Sequence, residues 1–114
     1  MKIILKNNTL TEYAISLSGE FDAHGCTEIR DELESIIEEC ASKTLQIDLK
    51  NVSFIDSSGI GAIVFLFKRI QAVDGHLKIV QVQGQPQELL SLLRVHEAIP
   101  VEWADSSTAV LINE

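Results

Sequence analysis

Two adjacent hydroxyls, Ser57 and Ser58, stand between a carboxylate and two glycines in the stretch Val52-Ser53-Phe54-Ile55-Asp56-Ser57-Ser58-Gly59-Ile60-Gly61-Ala62-Ile63-Val64. Before them, Val52 and Phe54 alternate with polar partners, the pattern of a half-buried strand. After them, Ile60, Ile63, Val64, Phe67 and Ile70 fall at helical spacing, which predicts a helix from about Ser58. The hydroxyls therefore belong to a turn at the carboxyl end of a strand, where open α/β sheets place their binding crevices. Asp56 or Ser57 can cap the helix by accepting from its orphan N–H groups. Gly59 and Gly61 are expected to keep the loop backbone reachable from outside. A cap needs one polar side chain, and this turn offers three. A solvent-facing hydroxyl on a rigid base, beside a positive helix end, suits a serine that is modified.

Other reactive side chains make weaker constellations. His24, with Asp22 or Asp56 as an orienting carboxylate, could complete a Ser-His-Asp set. The surroundings lack the Gly-x-Ser-x-Gly of a nucleophile elbow, Ile55 standing where its first glycine would be, so no catalysis is expected. Asp22 is as readily a helix or turn cap as a functional group. Cys26 and Cys40 lie on one expected helix, roughly 20 Å apart, too far to pair. No Cys/His spacing suggests zinc, and no Gly-Lys-Ser/Thr loop suggests a bound nucleotide, so no cofactor is expected.

The sequence pattern of the turn resembles a known signature. Asp56-Ser57-Ser58-Gly59-Ile60-Gly61 is similar to the Asp-Ser-Ser-Gly-Leu-Gly of STAS domains, specifically the bacterial anti-sigma factor antagonists. Gly19-Glu20-Phe21-Asp22 is similar to their second motif, Gly-Glu-Leu-Asp, which lies near the phosphorylated turn. The two stand at family spacing, and the resemblance covers nearly the whole chain. It implies an α/β STAS-type single domain over residues 1–114: a mixed sheet of four to five strands, an N-terminal antiparallel hairpin and about four helices. Near the end of the third helix STAS domains commonly carry Gly-Leu, where this chain has Arg94-Val95-His96.

The elements that must hold the turn can be read in order. Residues 2–6 form a first strand, Asn7-Asn8 a turn, and Tyr13, Ile15 and Leu17 alternate along a second strand that Gly19 ends. Glu20 to Gly25 form a polar loop. A helix from about Cys26 to Ala41 buries Ile29, Leu33, Ile36, Ile37 and Cys40, with Thr27 or a residue just before it as cap. Thr44 to Leu49 return as a strand parallel to the second, by a right-handed crossover. The helix after the serine turn runs to about Ala72, and its all-round apolar surface predicts cover on more than one side. Leu77, Ile79, Val80 and Val82 build a fourth strand. Gly84-Gln85-Pro86 opens a third helix with a wide Leu89, Leu90, Leu92 and Leu93 face. Ile99, Val101 and Trp103 alternate in a short strand that Pro100 confines to an edge. Asp105 then caps a last helix using Ala109, Val110 and Ile112.

Composition bounds the partners. The 114 residues are 46% hydrophobic and carry a net charge of −8, from 9 Lys+Arg against 17 Asp+Glu. Eight acids and one base fall within residues 20–39. Such a run is a solvated face or a surface that steers a basic partner, and it excludes a nucleic-acid footprint. No apolar run reaches a membrane span and no signal peptide is visible, so a cytoplasmic protein is expected.

The resemblance also implies a mechanism without catalysis. Unphosphorylated protein binds an anti-sigma factor that is a serine kinase, phosphorylation of Ser57 releases it, and a PP2C-type phosphatase resets the switch. Asp22, Asp56, Ser57, Ser58, Gly59 and Ile60 would form the partner-binding surface. The phosphoryl group is expected to meet orphan amides of the helix and to change the interface more than the fold. Two other uses stay open: a STAS module regulating biofilm, lipid-transport or stress-signalling partners, and a constitutive docking domain in which the serines only cap.

Overall fold

Alternating Ile, Leu and Val residues close into a five-stranded sheet over residues 1–104, the part of the chain that the computed structural model describes. Strand β1 (Lys2–Asn8) pairs antiparallel with β2 (Glu12–Phe21) as the expected hairpin. Helix α1 (Ala23–Glu39) leads to β3 (Thr44–Ile55), α2 (Ser57–Ala72) to β4 (His76–Val82), and α3 (Gly84–Leu92) with a 3-10 turn at Val95–Glu97 to β5 (Val101–Trp103). The strands lie in sequence order, and every pair after the hairpin is parallel. The mixed-sheet α/β architecture matches the expectation, with three helices among the described residues. The helix expected from Asp105 lies outside them.

The core sits where α1 and α2 cover the sheet. Ile29, Ile37, Ile63, Leu66 and Ile70 of the helices meet Ile15, Leu17, Leu45, Ile47 and Leu49 of the strands, all at most 3% exposed. Each such side chain contributes about 1.5–3 kcal/mol of burial. The cluster makes the carboxyl ends of β2 and β3 a rigid base. Phe21 and Ile55, the last residues of the two strands, are register partners and fully buried.

Several boundaries differ from those read in the sequence. The hairpin reverses at residues 9–11 rather than at Asn7-Asn8, because the Thr9 hydroxyl accepts from the amides of Thr11 and Glu12. Gly19 continues β2 at φ +115 instead of ending it. Helix α1 begins at Ala23 and not at Cys26, so the expected Glu20–Gly25 loop is strand end, cap and first turn. Thr27 does not cap it; its hydroxyl donates to the Ala23 carbonyl. Phe54 does not face inward with Val52. The β2–β3 register shifts twice, so Val52 and Ile55 are buried and Phe54 stands 39% exposed. Of the four leucines in and after α3 only Leu90 is fully buried; Leu92, two positions on, faces the opposite side of the helix and is exposed, as is Leu93 at its C-cap. Arg94 takes φ 56, ψ 36, a left-handed conformation that favours glycine, and Val95 supplies the buried hydrophobic after it.

Candidate functional site

The serine turn is built from an aspartate cap. Asp56 leaves β3 in an extended conformation, and its Oδ1 accepts from the amides of Ser58 at 2.9 Å and Gly59 at 3.2 Å. That carboxylate does the capping, so the hydroxyls are not needed for it. Ser57 is the first residue of α2 and Ser58 the second; both are exposed. Neither hydroxyl has a hydrogen-bond partner among the described residues.

The backbone beneath the turn is fixed from both sides. On the inner side the Asp56 amide donates to the Phe21 carbonyl at 3.3 Å. On the outer side β4 has separated from β3, their register ending at the Asp48–Val80 pair. Gln85 at the start of α3 replaces the missing strand. Its Oε1 accepts from the Ile55 amide and its Nε2 donates to the Ile55 carbonyl, both at 2.8 Å. Without it a buried amide and carbonyl would stand unpaired, at a cost of about 1–3 kcal/mol each. Nothing in the sequence marked Gln85, because its partner lies 30 residues away and the bond is to backbone.

Gly59 serves packing, against the expectation of an open loop. A Cβ there would stand 2.3 Å from the Phe21 carbonyl oxygen and 2.6 Å from Ile55 Cγ1. The missing side chain lets α2 sit down on the ends of β2 and β3. Gly61 meets nothing within 4 Å and is the exposed one.

The second motif arrives beside the first. Asp22 caps α1, accepting from the Gly25 amide at 2.8 Å. Cys26, one turn into α1, places its Sγ 3.6 Å from the Ser58 carbonyl oxygen, which ties the two helix starts together. Burial pushes the Cys26 thiol up, and the carboxylates of Asp56 and Asp22 push it further. The turn is thus a negative neighbourhood. His24 does not join it: the ring is 84% exposed and lies 3.6 Å from Glu28 of its own helix. Among the described residues His24 has no hydrogen bond to Asp22, Asp56 or Ser57, so these groups form no relay.

The face around the serines combines charge with exposed apolar surface. Ile60 is half-buried beside the turn. A groove of about 480 Å³ runs between α1 and α2 with Leu33, Ile37, Ala62 and Leu66 in its lining and Ser58 and Cys26 at one end. Phe65 lines it at 51% exposure, so α2 is covered less completely than its composition predicted. At the other end Arg69 stacks on Phe65 and makes a bidentate pair with Glu34 at 3.1 and 3.2 Å. Asp22, Asp56, Ser57, Ser58 and Ile60 therefore share one surface, with Gly59 beneath it. Among the described residues no cluster of His, Cys, Asp or Glu could hold a metal ion, and no helix is long and apolar enough to cross a membrane.

Comparison with known proteins gives the same architecture. The STAS domain family matches residues 3–108. Among curated relatives, an anti-sigma F factor antagonist of Paenibacillus polymyxa is 29% identical over 87 residues, covering 76% of this chain and 74% of the relative. An anti-sigma-B factor antagonist of Bacillus subtilis (strain 168) is also 29% identical over 87 residues, covering 76% and 78%. Among solved structures, the Bacillus cell fate determinant SpoIIAA in its phosphorylated form superimposes with a TM-score of 0.66 at 22% identity, covering 99% of this chain and all of that one.

Proposed function

The chain belongs to the STAS domain family, and from that premise we propose that it is an anti-sigma factor antagonist switched by phosphorylation of Ser57. The observation that carries this reading is the uncommitted Ser57 hydroxyl: exposed, at the first position of α2, on a helix that Asp56 already caps. A serine kept only as a cap would be using its oxygen. The relatives named as antagonists and a similar fold known in a phosphorylated form support the same role.

In this mechanism the unmodified face of Asp22, Asp56, Ser57, Ser58 and Ile60 docks on an anti-sigma factor that is also a serine kinase. The kinase supplies ATP; the Ser57 oxygen attacks the γ-phosphorus, ADP leaves, and the hydroxyl proton passes to a base on the kinase. The product adds about −1.5 to −2 charges. Two of the first amides of α2 are already bonded to Asp56, so the helix end offers the new anion little, and Asp22 and Asp56 repel it. Desolvating such a group against the partner costs several kcal/mol, enough to dissolve a micromolar complex held by about 8 kcal/mol. A PP2C-type phosphatase returns the hydroxyl with water as nucleophile.

The test is the intact mass and phosphosite map of the protein recovered from its host, beside Ser57→Ala. One phosphoryl group on Ser57, absent from the variant, is the expected result. The Ser57→Ala protein should also hold its anti-sigma partner through conditions that release the wild type. A chain without phosphate under growth and stress would overturn the switch and leave constitutive docking.

A further inference from the structure

The two hydroxyls of the turn are not equivalent. Ser58 lines the α1–α2 groove, in helical register with Ala62 and Phe65, which line it too. Ser57 lines no part of it. Its register runs through Gly61, Val64 and Lys68, on the outer side of α2.

Across the groove from Ser58 stands a cation without a counter-ion among the described residues. Arg30 lines the same groove one helical turn beyond Cys26, and Cys26 Sγ touches the Ser58 carbonyl at 3.6 Å. Residues four apart on a helix face are about 6 Å apart at Cβ, well within the reach of an arginine side chain. The guanidinium charge is felt at the Cys26 sulfur, where it opposes the two aspartates. Arg69, next to the groove on Phe65, is fully engaged by Glu34, whereas Arg30 has no ion-pair partner among the described residues. The amides of Ser58 and Gly59 are taken by Asp56, which leaves an anion at this turn to the Ser57 amide and to side chains.

We propose that Arg30 is an in-chain receptor for a phosphoryl group on Ser58, and not for one on Ser57. Esterified to Ser58, the group would accept from the planar fork of Arg30 and tie α1 to α2 across the open end of the groove. On Ser57 it would stand in the docking face without a cation of its own chain. The same turn therefore supports two outcomes: a repelling phosphate on the first hydroxyl, and a neutralised, groove-closing one on the second. This rests on reading the turn as a phosphoacceptor, and it can be tested without any kinase.

The experiment uses the full chain with phosphoserine incorporated during translation at position 58 or at position 57, with Arg30 intact or as Arg30→Gln. Phosphorus NMR follows the second ionisation of the phosphate. The nearby Asp22 and Asp56 raise it in all four proteins, and only Arg30 differs. At position 58 the ionisation should lie about one unit lower with Arg30 than with Arg30→Gln, as for an acid beside a guanidinium. Arg30→Lys should keep part of that shift, and at position 57 the Arg30→Gln change should have no effect. The Arg30 Nε signal of the unsubstituted chain should move with phosphate at 58 and stay still with phosphate at 57. Equal responses at both positions, or none at 58, would overturn the assignment. Absence of phosphate from the host protein would instead remove the Ser57 switch and leave this result standing.

Discussion

The starts of α1 and α2 are the same device used twice. Both follow parallel strands that end flush at Phe21 and Ile55. Both are capped by an extended aspartate, Asp22 at φ −113, ψ −170 and Asp56 at φ −121, ψ −168. Both carry a buried glycine three residues after the cap, Gly25 and Gly59. A Cβ on Gly25 would stand 2.2 Å from the Glu20 carbonyl oxygen, as one on Gly59 would stand 2.3 Å from that of Phe21. Only the two residues between cap and glycine differ in kind: Ala23-His24 in one, Ser57-Ser58 in the other. The scaffold of the turn is thus a general way to seat a helix on a strand end. Whatever is special about the second turn resides in two side chains.

The largest effect should come from filling the shared glycine position. Gly59→Ala forces its methyl against backbone that cannot turn aside, and should destabilise the fold by about 3 kcal/mol in urea unfolding. Gly25→Ala should cost a similar amount, for the same reason. Gly61→Ala, in open space on the same helix, should stabilise by up to ~1 kcal/mol. If Gly59→Ala were harmless, close seating of α2 would not be what the glycine is for.

How much of this pairing was legible follows from where its signals lie. The second turn was readable because its helix is apolar from Ile60 onward, directly after the hydroxyls. The first was read three residues late: its apolar stripe begins at Ile29, and Ala23-His24-Gly25 looks like loop when Gly25 is taken as a breaker. The burial of Gly25 against Glu20 is a tertiary fact. Phe54 was assigned to the wrong face because strict alternation cannot register the two shifts in the β2–β3 ladder. The support from Gln85 was invisible, since a polar residue at a helix start gives no hint that it completes a distant strand end. Arg94 was legible as a departure, and its backbone there is left-handed, a conformation that favours glycine. The candidate surface of Asp22, Asp56, Ser57, Ser58 and Ile60 was read from motif spacing and is brought together by the parallel register. The groove, with Arg30 in its lining, needed the packed helices.

A middling effect should separate the two caps. Asp56 accepts from two amides and Asp22 from one. Cap removal costs about 0.5–2 kcal/mol, so Asp56→Ala should fall near the top of that range and Asp22→Ala near the middle. Asparagine at either position should recover most of the loss, because it keeps the acceptor without the charge. Equal losses would mean that the second amide bond of Asp56 adds nothing to the fold.

The smallest effect on stability should come from exchanging what differs. Ser57→Ala/Ser58→His gives the second turn the residues of the first and touches no hydrogen bond, so unfolding should shift by no more than ~0.5 kcal/mol. Phosphorylation by the host kinase should nevertheless disappear. The reciprocal Ala23→Ser/His24→Ser chain should be as stable as the parent, and its new serines should stay unmodified when it is combined with Ser57→Ala/Ser58→His. The transplanted hydroxyls would have the Asp-x-x-Gly frame but not the neighbouring Ile60 and Val64 of α2 against which a kinase would dock. Phosphate appearing on them would mean that the frame alone is recognised, and that the surface of α2 has no part in presenting Ser57.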